Sequence, residues 1–173
     1  MFVYEKKLEY PIRIRNTNPK LAAMIISQYG GPDGELGASL RYLSQRFSMP
    51  YPELKGLLTD IGTEELGHLE MVGTIVHQLT RCINEADLHA GPFGPYFVDH
   101  AAGVYPTAAS GWPYNAASMA VKGDPMADLC EDLAADAAII SGQRKKARLN
   151  SVELSRAFLQ SVCQRHIDIL PWL

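Results

Sequence analysis

The longest regular pattern of apolar residues covers residues 51–81 and predicts one long amphipathic helix. Its apolar members recur at steps of three and four and share one stripe: Leu54, Leu58, Ile61, Val72, Ile75, Val76 and Leu79. The same steps continued from Ile61 reach Glu65 and His68 before Val72. The sequence therefore places two polar residues on the face of this helix that should be buried.

Two shorter helices are predicted before it. The first begins with Asn18 as a cap and Pro19 at the first helical position, and Gly30 and Gly31 end it. The second covers about residues 34–47, and its apolar residues fall on one helical face: Leu36, Leu40, Leu43 and Phe47. The segment before the first helix is predicted to be a short extended arm.

Two further helices are predicted after an irregular segment, residues 84–123, which is rich in glycine and proline. One begins at Asp124 and Pro125, and Asp136 lies on its apolar stripe. The last covers about residues 151–170, and His166 lies on its stripe. Apart from the short first helix, these are four main helices, and polar residues turned inward on four helices are typical of a metal-bearing helical bundle.

Composition narrows the class of protein. The chain has 173 residues, of which 47% are hydrophobic and 20% charged, as expected for a single globular domain over 1–173. A net charge of −3 argues against a nucleic-acid partner. No apolar run approaches the roughly 20 residues of a membrane span, and the N-terminus does not resemble a signal peptide. Three widely spaced cysteines favour a reducing compartment, so a cytoplasmic location is expected.

The polar residues on the long helix suggest a metal site. A buried carboxylate costs several kcal/mol unless a cation or hydrogen bonds compensate it. Residues three apart share a helical face, so Glu65 and His68 can reach one ion, and Glu35 on the preceding helix can complete a half-site. Tyr42 offers a hydroxyl that can hydrogen-bond a ligating carboxylate. Such ligands suit manganese or iron.

Simpler explanations exist for each of these residues. Glu-x-x-His occurs on many helices that bind no metal, and Tyr42 can be ordinary packing. Asp136 can be an exposed residue near a frayed helix end. Glu64, and likewise Glu70, Glu131 and Asp132, lie beside the stripes, and solvent exposure is expected for them.

Three long segments resemble the manganese catalases, most closely their small spore-coat branch, the CotJC-type proteins. They are NPKLAAMIISQYGGPDGELGASLRYLSQRF, LLTDIGTEELGHLEM and SGWPYNAASMAVKGDPMADLCEDLAAD. The resemblance covers about residues 1–136 and implies an all-α, ferritin-like four-helix bundle with a long irregular crossover and two manganese ions. It also implies a homo-oligomer, a hexamer in the family, and assembly with other spore-coat proteins.

The resemblance assigns ligand roles to particular residues. Glu35 matches the family's first single ligand, and Glu65 with His68 matches the first Glu-x-x-His pair. Asp136 stands where the family has a second single glutamate, whose side chain is one methylene longer than that of aspartate. No second Glu-x-x-His occurs in the chain, and the nearest substitute is Cys163-x-x-His166. The tail after Asp136 diverges, so the fourth helix is expected to be divergent or truncated, through a shifted reading frame or a replaced C-terminus.

The function implied by the resemblance is disproportionation of hydrogen peroxide to water and oxygen, impaired by the loss of the second pair. Two alternatives remain open. A structural coat protein would keep the bundle with a degenerate metal site. An iron-binding ferritin-like oxidase would use the same ligands with another metal.

Overall fold

A computed structural model describes residue 3, residues 5–84, residue 86 and residues 104–135. Within these residues the chain forms three long helices, α1 (Pro19–Gly30), α2 (Glu35–Gln45) and α3 (Pro52–Thr80). A fourth, α4, is helical over residues 125–135. The described residues contain no β-strand, only an antiparallel bridge between Thr107 and Pro113 and a 3₁₀ turn, Ala116–Ser118. The predicted helix over 151–170 lies outside them.

The chain divides into two compact units. The first comprises Met1–Ser39 and Thr63–Met119, and the second comprises Leu40–Gly62 and Ala120–Leu173. Both α2 and α3 run from one unit into the other. That the chain is a single domain over 1–173 stays a prediction.

The core of the first unit forms where α1 packs on the C-terminal half of α3. Its buried members are Ala22, Ile26, Val76 and Leu79. The sequence signals for α1 are confirmed, because the Asn18 side chain accepts a hydrogen bond from the Leu21 amide (3.1 Å) and Pro19 is the first helical residue. The backbone amide of Asn18 also donates a hydrogen bond to the Leu79 carbonyl (2.9 Å), which connects the start of α1 to α3.

The N-terminal arm lies against α3. The Ile14 amide donates to Gln78 Oε1 (2.7 Å), and Gln78 Nε2 donates to the Ile12 carbonyl (3.0 Å). Arg81 adds hydrogen bonds to the carbonyls of Ile14 and Arg15 (2.9 and 3.1 Å). Side chains near the end of α3 therefore fix the path of an arm that has no regular secondary structure.

Residues 104–119 pack closely on the C-terminal end of α1. A Cβ at Gly30 would come within 2.2 Å of the Pro106 carbonyl carbon and the Thr107 amide nitrogen, so this position requires glycine. Ser27 Oγ accepts a hydrogen bond from the Ala109 amide (2.6 Å). Residues 104–119, which belong to the segment predicted to be irregular, are thus irregular as expected and are held against α1.

In the second unit, α4 starts with the predicted cap. The Asp124 side chain accepts a hydrogen bond from the Ala127 amide (2.8 Å), and the buried Asp128 carboxylate accepts from the amides of Lys122 (2.7 Å) and Gly123 (3.1 Å). The prediction that Asp132 is exposed to solvent is wrong, because its side chain is completely buried one turn beyond Asp128. The buried residues of α4 are Asp128, Leu129, Asp132 and Ala135, so its buried face includes two aspartates.

The buried face of α2 also differs from the predicted one. Of the expected apolar stripe, Leu40 is 37% exposed and Phe47, which lies beyond the end of the helix, is 77% exposed. More than half of the residues that α2 buries are instead polar or charged, and the buried set is Glu35, Gly37, Ala38, Ser39, Arg41, Tyr42 and Gln45. The leucine spacing identified a helix correctly but indicated the wrong face, because apolar spacing finds the core face only when the core is apolar.

Candidate metal centre

Helices α2 and α3 bring three ligand-type side chains together within the first unit. Glu35 lies at the start of α2, and Glu65 and His68 lie one turn apart in the middle of α3. All three side chains are buried, with exposures of 1%, 2% and 2%. One potential ligand atom from each lies within 4.8 Å of the others. We call Glu35, Glu65 and His68 the inner group.

The imidazole of His68 is oriented by the two carboxylates. Its Nδ1 lies 2.7 Å from Glu65 Oε2, a hydrogen-bonding distance, and 4.0 Å from Glu35 Oε2. The first contact follows from the helical spacing of three residues, and the second depends on the packing of α2 against α3. The same ring nitrogen therefore faces both acidic side chains.

The charges around His68 favour a cation. Burial alone lowers the pKa of His68, but the hydrogen bond to Glu65 and the charges of Glu65, Glu64 and Glu9 together raise it above its usual value. A position that holds a proton between an imidazole and carboxylates also favours a metal ion, which neutralises the same charges.

The donor set fits the metal that the sequence resemblance implies. Two carboxylates and one imidazole are suitable ligands for manganese or iron. Their burial gives a physical reason for a metal, because a divalent cation would offset the cost of placing two acidic side chains in the protein interior. That these three residues bind metal stays a prediction.

The other predicted site residues have different outcomes. Tyr42 is completely buried on α2, two turns after Glu35. Its hydrogen bond to a ligating carboxylate stays a prediction. Asp136 and His166 lie outside the described residues.

Sequence reasoning missed a second group around His68. Glu9, Glu64 and His68 also offer ligand atoms within 4.8 Å of one another. We call Glu9 and Glu64 the outer carboxylates, since Glu9 is exposed and Glu64 is half-buried. The spacing of four between Glu64 and His68 was a usable signal. No local pattern could identify Glu9, because its position depends on the path of the arm across α3.

No helix in the part of the chain that the structure describes has both the length and the apolar character of a membrane span.

Comparisons with known proteins identify the family of this chain. A family model described as manganese containing catalase matches residues 1–154. Protein CotJC of Bacillus subtilis is 49% identical over 136 residues, which cover 79% of this chain and 71% of CotJC. A probable manganese catalase of Clostridium acetobutylicum is 35% identical over 175 residues, which cover 98% of this chain and 73% of that protein.

Solved structures of manganese catalases also match this chain. The crystal structure of KatB, a manganese catalase from Anabaena PCC7120, matches with a TM-score of 0.81 and 28% identity, over 97% of this chain and 75% of KatB. The expected all-α, ferritin-like fold is thereby confirmed. The family match extends beyond residue 136, where the motifs that carry the sequence resemblance end. The chain belongs to the manganese-containing catalase family.

Proposed function

We propose that this protein disproportionates hydrogen peroxide to water and oxygen at a manganese site whose main ligands are Glu35, Glu65 and His68. The observation that carries the proposal is the convergence of these three buried side chains within 4.8 Å. Family membership supports the same chemistry, because a family relative at 35% identity is named a probable manganese catalase.

The chain's own residues have distinct roles in this proposal. Glu35 and Glu65 supply negative charge that holds a divalent cation and favours its more oxidised state. The hydrogen bond between His68 Nδ1 and the Glu65 carboxylate, together with the approach of Glu35, holds the His68 ring so that Nδ1 faces both carboxylates. When bound, a manganese pair supplies the two-electron change by which one peroxide is reduced to water and another is oxidised to oxygen.

The proposed activity is weak compared with that of an intact family member. The chain has no second Glu-x-x-His, and the proposed remaining ligands are Asp136, which is shorter than glutamate, and His166. With fewer carboxylates the second metal position binds less tightly, and Cys163 in place of a carboxylate would be oxidised by peroxide if it were exposed as a thiolate. We therefore expect close to one manganese per chain.

Metal content measured together with oxygen release tests the proposal. Purified wild-type protein should contain manganese and release oxygen from peroxide, and Glu65→Gln should lose most of both. Glu70→Gln, on the same helix but outside the inner group, is the matched control and should keep them. Iron in place of manganese, or equal metal content in wild type and Glu65→Gln, would contradict the proposal.

The second candidate is a structural role in a spore coat, which the 49% identity to CotJC favours. It predicts a correctly folded protein that binds little manganese and releases no oxygen. It also predicts association with other coat proteins after synthesis in the cytoplasm.

We further propose that the chain forms a homo-oligomer, a hexamer by resemblance to the family. Light scattering after size-exclusion chromatography tests the number of subunits. A monomer at micromolar concentration would contradict this proposal.

A further inference from the structure

The outer carboxylates place a second ligand group on the solvent side of His68. Glu9 from the arm and Glu64 from α3 each bring a carboxylate oxygen within 4.8 Å of a ring nitrogen of His68 and of one another. Exposure falls inward, from exposed Glu9 through half-buried Glu64 to His68, which is 2% exposed. The donor set again combines carboxylates with an imidazole, which suits a hard divalent cation.

A surface pocket opens at this group. It has a volume of about 480 Å³, and its acidic lining residues are Glu5, Glu9, Glu64 and Glu70. Lys7 also lines it but forms an ion pair with Glu5 at 2.5 Å. The lining thus carries four acidic residues and one basic residue, and an acidic lining favours the approach of cations from solvent.

The Glu9 carboxylate lies against α3 at Gly67, a position that has no side chain. Gly67, which precedes His68, has no side chain, and a Cβ built there would lie 3.6 Å from Glu9 Oε2. A longer side chain at this position would extend into the space that the Glu9 carboxylate uses. The hydrogen bonds of Ile12 and Ile14 to Gln78 fix the later part of the same arm on α3.

We propose that Glu9 and Glu64 form a capture position for Mn²⁺, from which the ion passes to the inner group by exchanging carboxylate ligands around His68. His68 belongs to both groups, so an ion held by the outer carboxylates already lies beside one ligand of the inner site. The transfer requires ligand exchange and the release to solvent of any proton held by His68, and no oxidant or reductant is required. This inference rests on the proposed function, because it assigns a loading route to the proposed manganese site.

The rate of Mn²⁺ uptake tests the capture position. Metal-free full-length protein is mixed with Mn²⁺ alone, and the loss of the free-ion signal in electron paramagnetic resonance is followed with time. Glu9→Gln should slow uptake about tenfold, the low end of the effect expected for electrostatic guidance of an ion. The final manganese content should equal that of wild type. Glu9 is the preferred site of substitution because it lies outside α3 and leaves that helix unchanged.

Glu70→Gln is the matched control, because it removes one negative charge from the same pocket and leaves both outer carboxylates in the sequence. It should change the uptake rate less than twofold, whereas combining Glu9→Gln with Glu64→Gln should slow uptake more than Glu9→Gln alone.

Equal slowing by Glu9→Gln and Glu70→Gln would overturn the inference in favour of a general charge effect. A lower final manganese content in Glu9→Gln would overturn it as well, because Glu9 would then be a ligand of the resident ion. Wild-type protein that takes up no Mn²⁺ would overturn both this inference and the proposed function. Uptake at equal rates in all variants would overturn the capture position alone.

Discussion

The stripe of α3 has two parts that are equally buried but chemically opposite. Toward its C-terminal end, Val76 and Leu79 pack with α1 in an apolar core, with exposures of 0% and 3%. In the middle, Glu65 and His68 are 2% exposed and meet Glu35 of α2. Burial stabilises the first part and costs free energy in the second. The difference supports the proposal that the middle of α3 binds a metal ion, which would offset this cost.

A substitution in the apolar part should change the free energy of unfolding by the same amount with and without manganese. Ile26→Ala removes a side chain that is 2% exposed and contacts this core, and it should lower the free energy of unfolding by about 2–5 kcal/mol. Chemical denaturation measures the effect in metal-free and manganese-loaded protein. Met24→Ala, on the same helix but 39% exposed, is the control and should have a much smaller effect. A loss for Ile26→Ala that depends on manganese would show that the two parts of the stripe are not independent.

Apolar substitutions in the polar part should instead stabilise the metal-free protein. Replacing both members of the buried pair, Glu65→Leu with His68→Leu, should raise the free energy of unfolding of the metal-free protein by about 1–4 kcal/mol. The double variant avoids leaving one partner of the 2.7 Å contact alone in the interior, and adding Glu35→Gln removes the remaining carboxylate charge, 4.0 Å from His68 Nδ1, that would otherwise lose its neighbouring imidazole. It should also abolish the stabilisation by Mn²⁺ that wild type shows in a thermal melt. Destabilisation of the metal-free protein would mean that the pair itself supports the fold.

The pH dependence of metal binding follows from the raised pKa of His68. In metal-free protein, stability from the protonated imidazole is fully present below the unfolded pKa and is lost as pH rises through the higher folded pKa. Mn²⁺ must displace this proton, so its Kd should fall about tenfold per pH unit below the folded pKa and level off above it. Titrations of Mn²⁺ at several pH values measure this slope. The exposed His77 offers a control, since His77→Gln should leave the profile unchanged, and a Kd independent of pH in wild type would contradict the assignment.

The same comparison explains which features the sequence could predict. The face of α3 was predicted correctly because apolar residues dominate it on both sides of Glu65 and His68. On α2 the apolar stripe was predicted wrongly at Leu40 and Phe47, which are exposed, whereas Glu35 is buried as its predicted position beside Glu65 and His68 requires. A polar site reverses the usual rule that apolar residues mark the inside. Glu9 could not be found, since an arm held by Gln78 and Arg81 carries no periodic signal.

The most direct test of the central claim is anomalous diffraction at the manganese absorption edge from crystals of protein loaded with Mn²⁺. The account predicts an anomalous peak bounded by Glu35, Glu65 and His68 in wild type, and its loss in crystals of the variant Glu65→Gln. Protein that remains folded and saturated with Mn²⁺ in solution, but shows no anomalous peak between these three side chains, would contradict it.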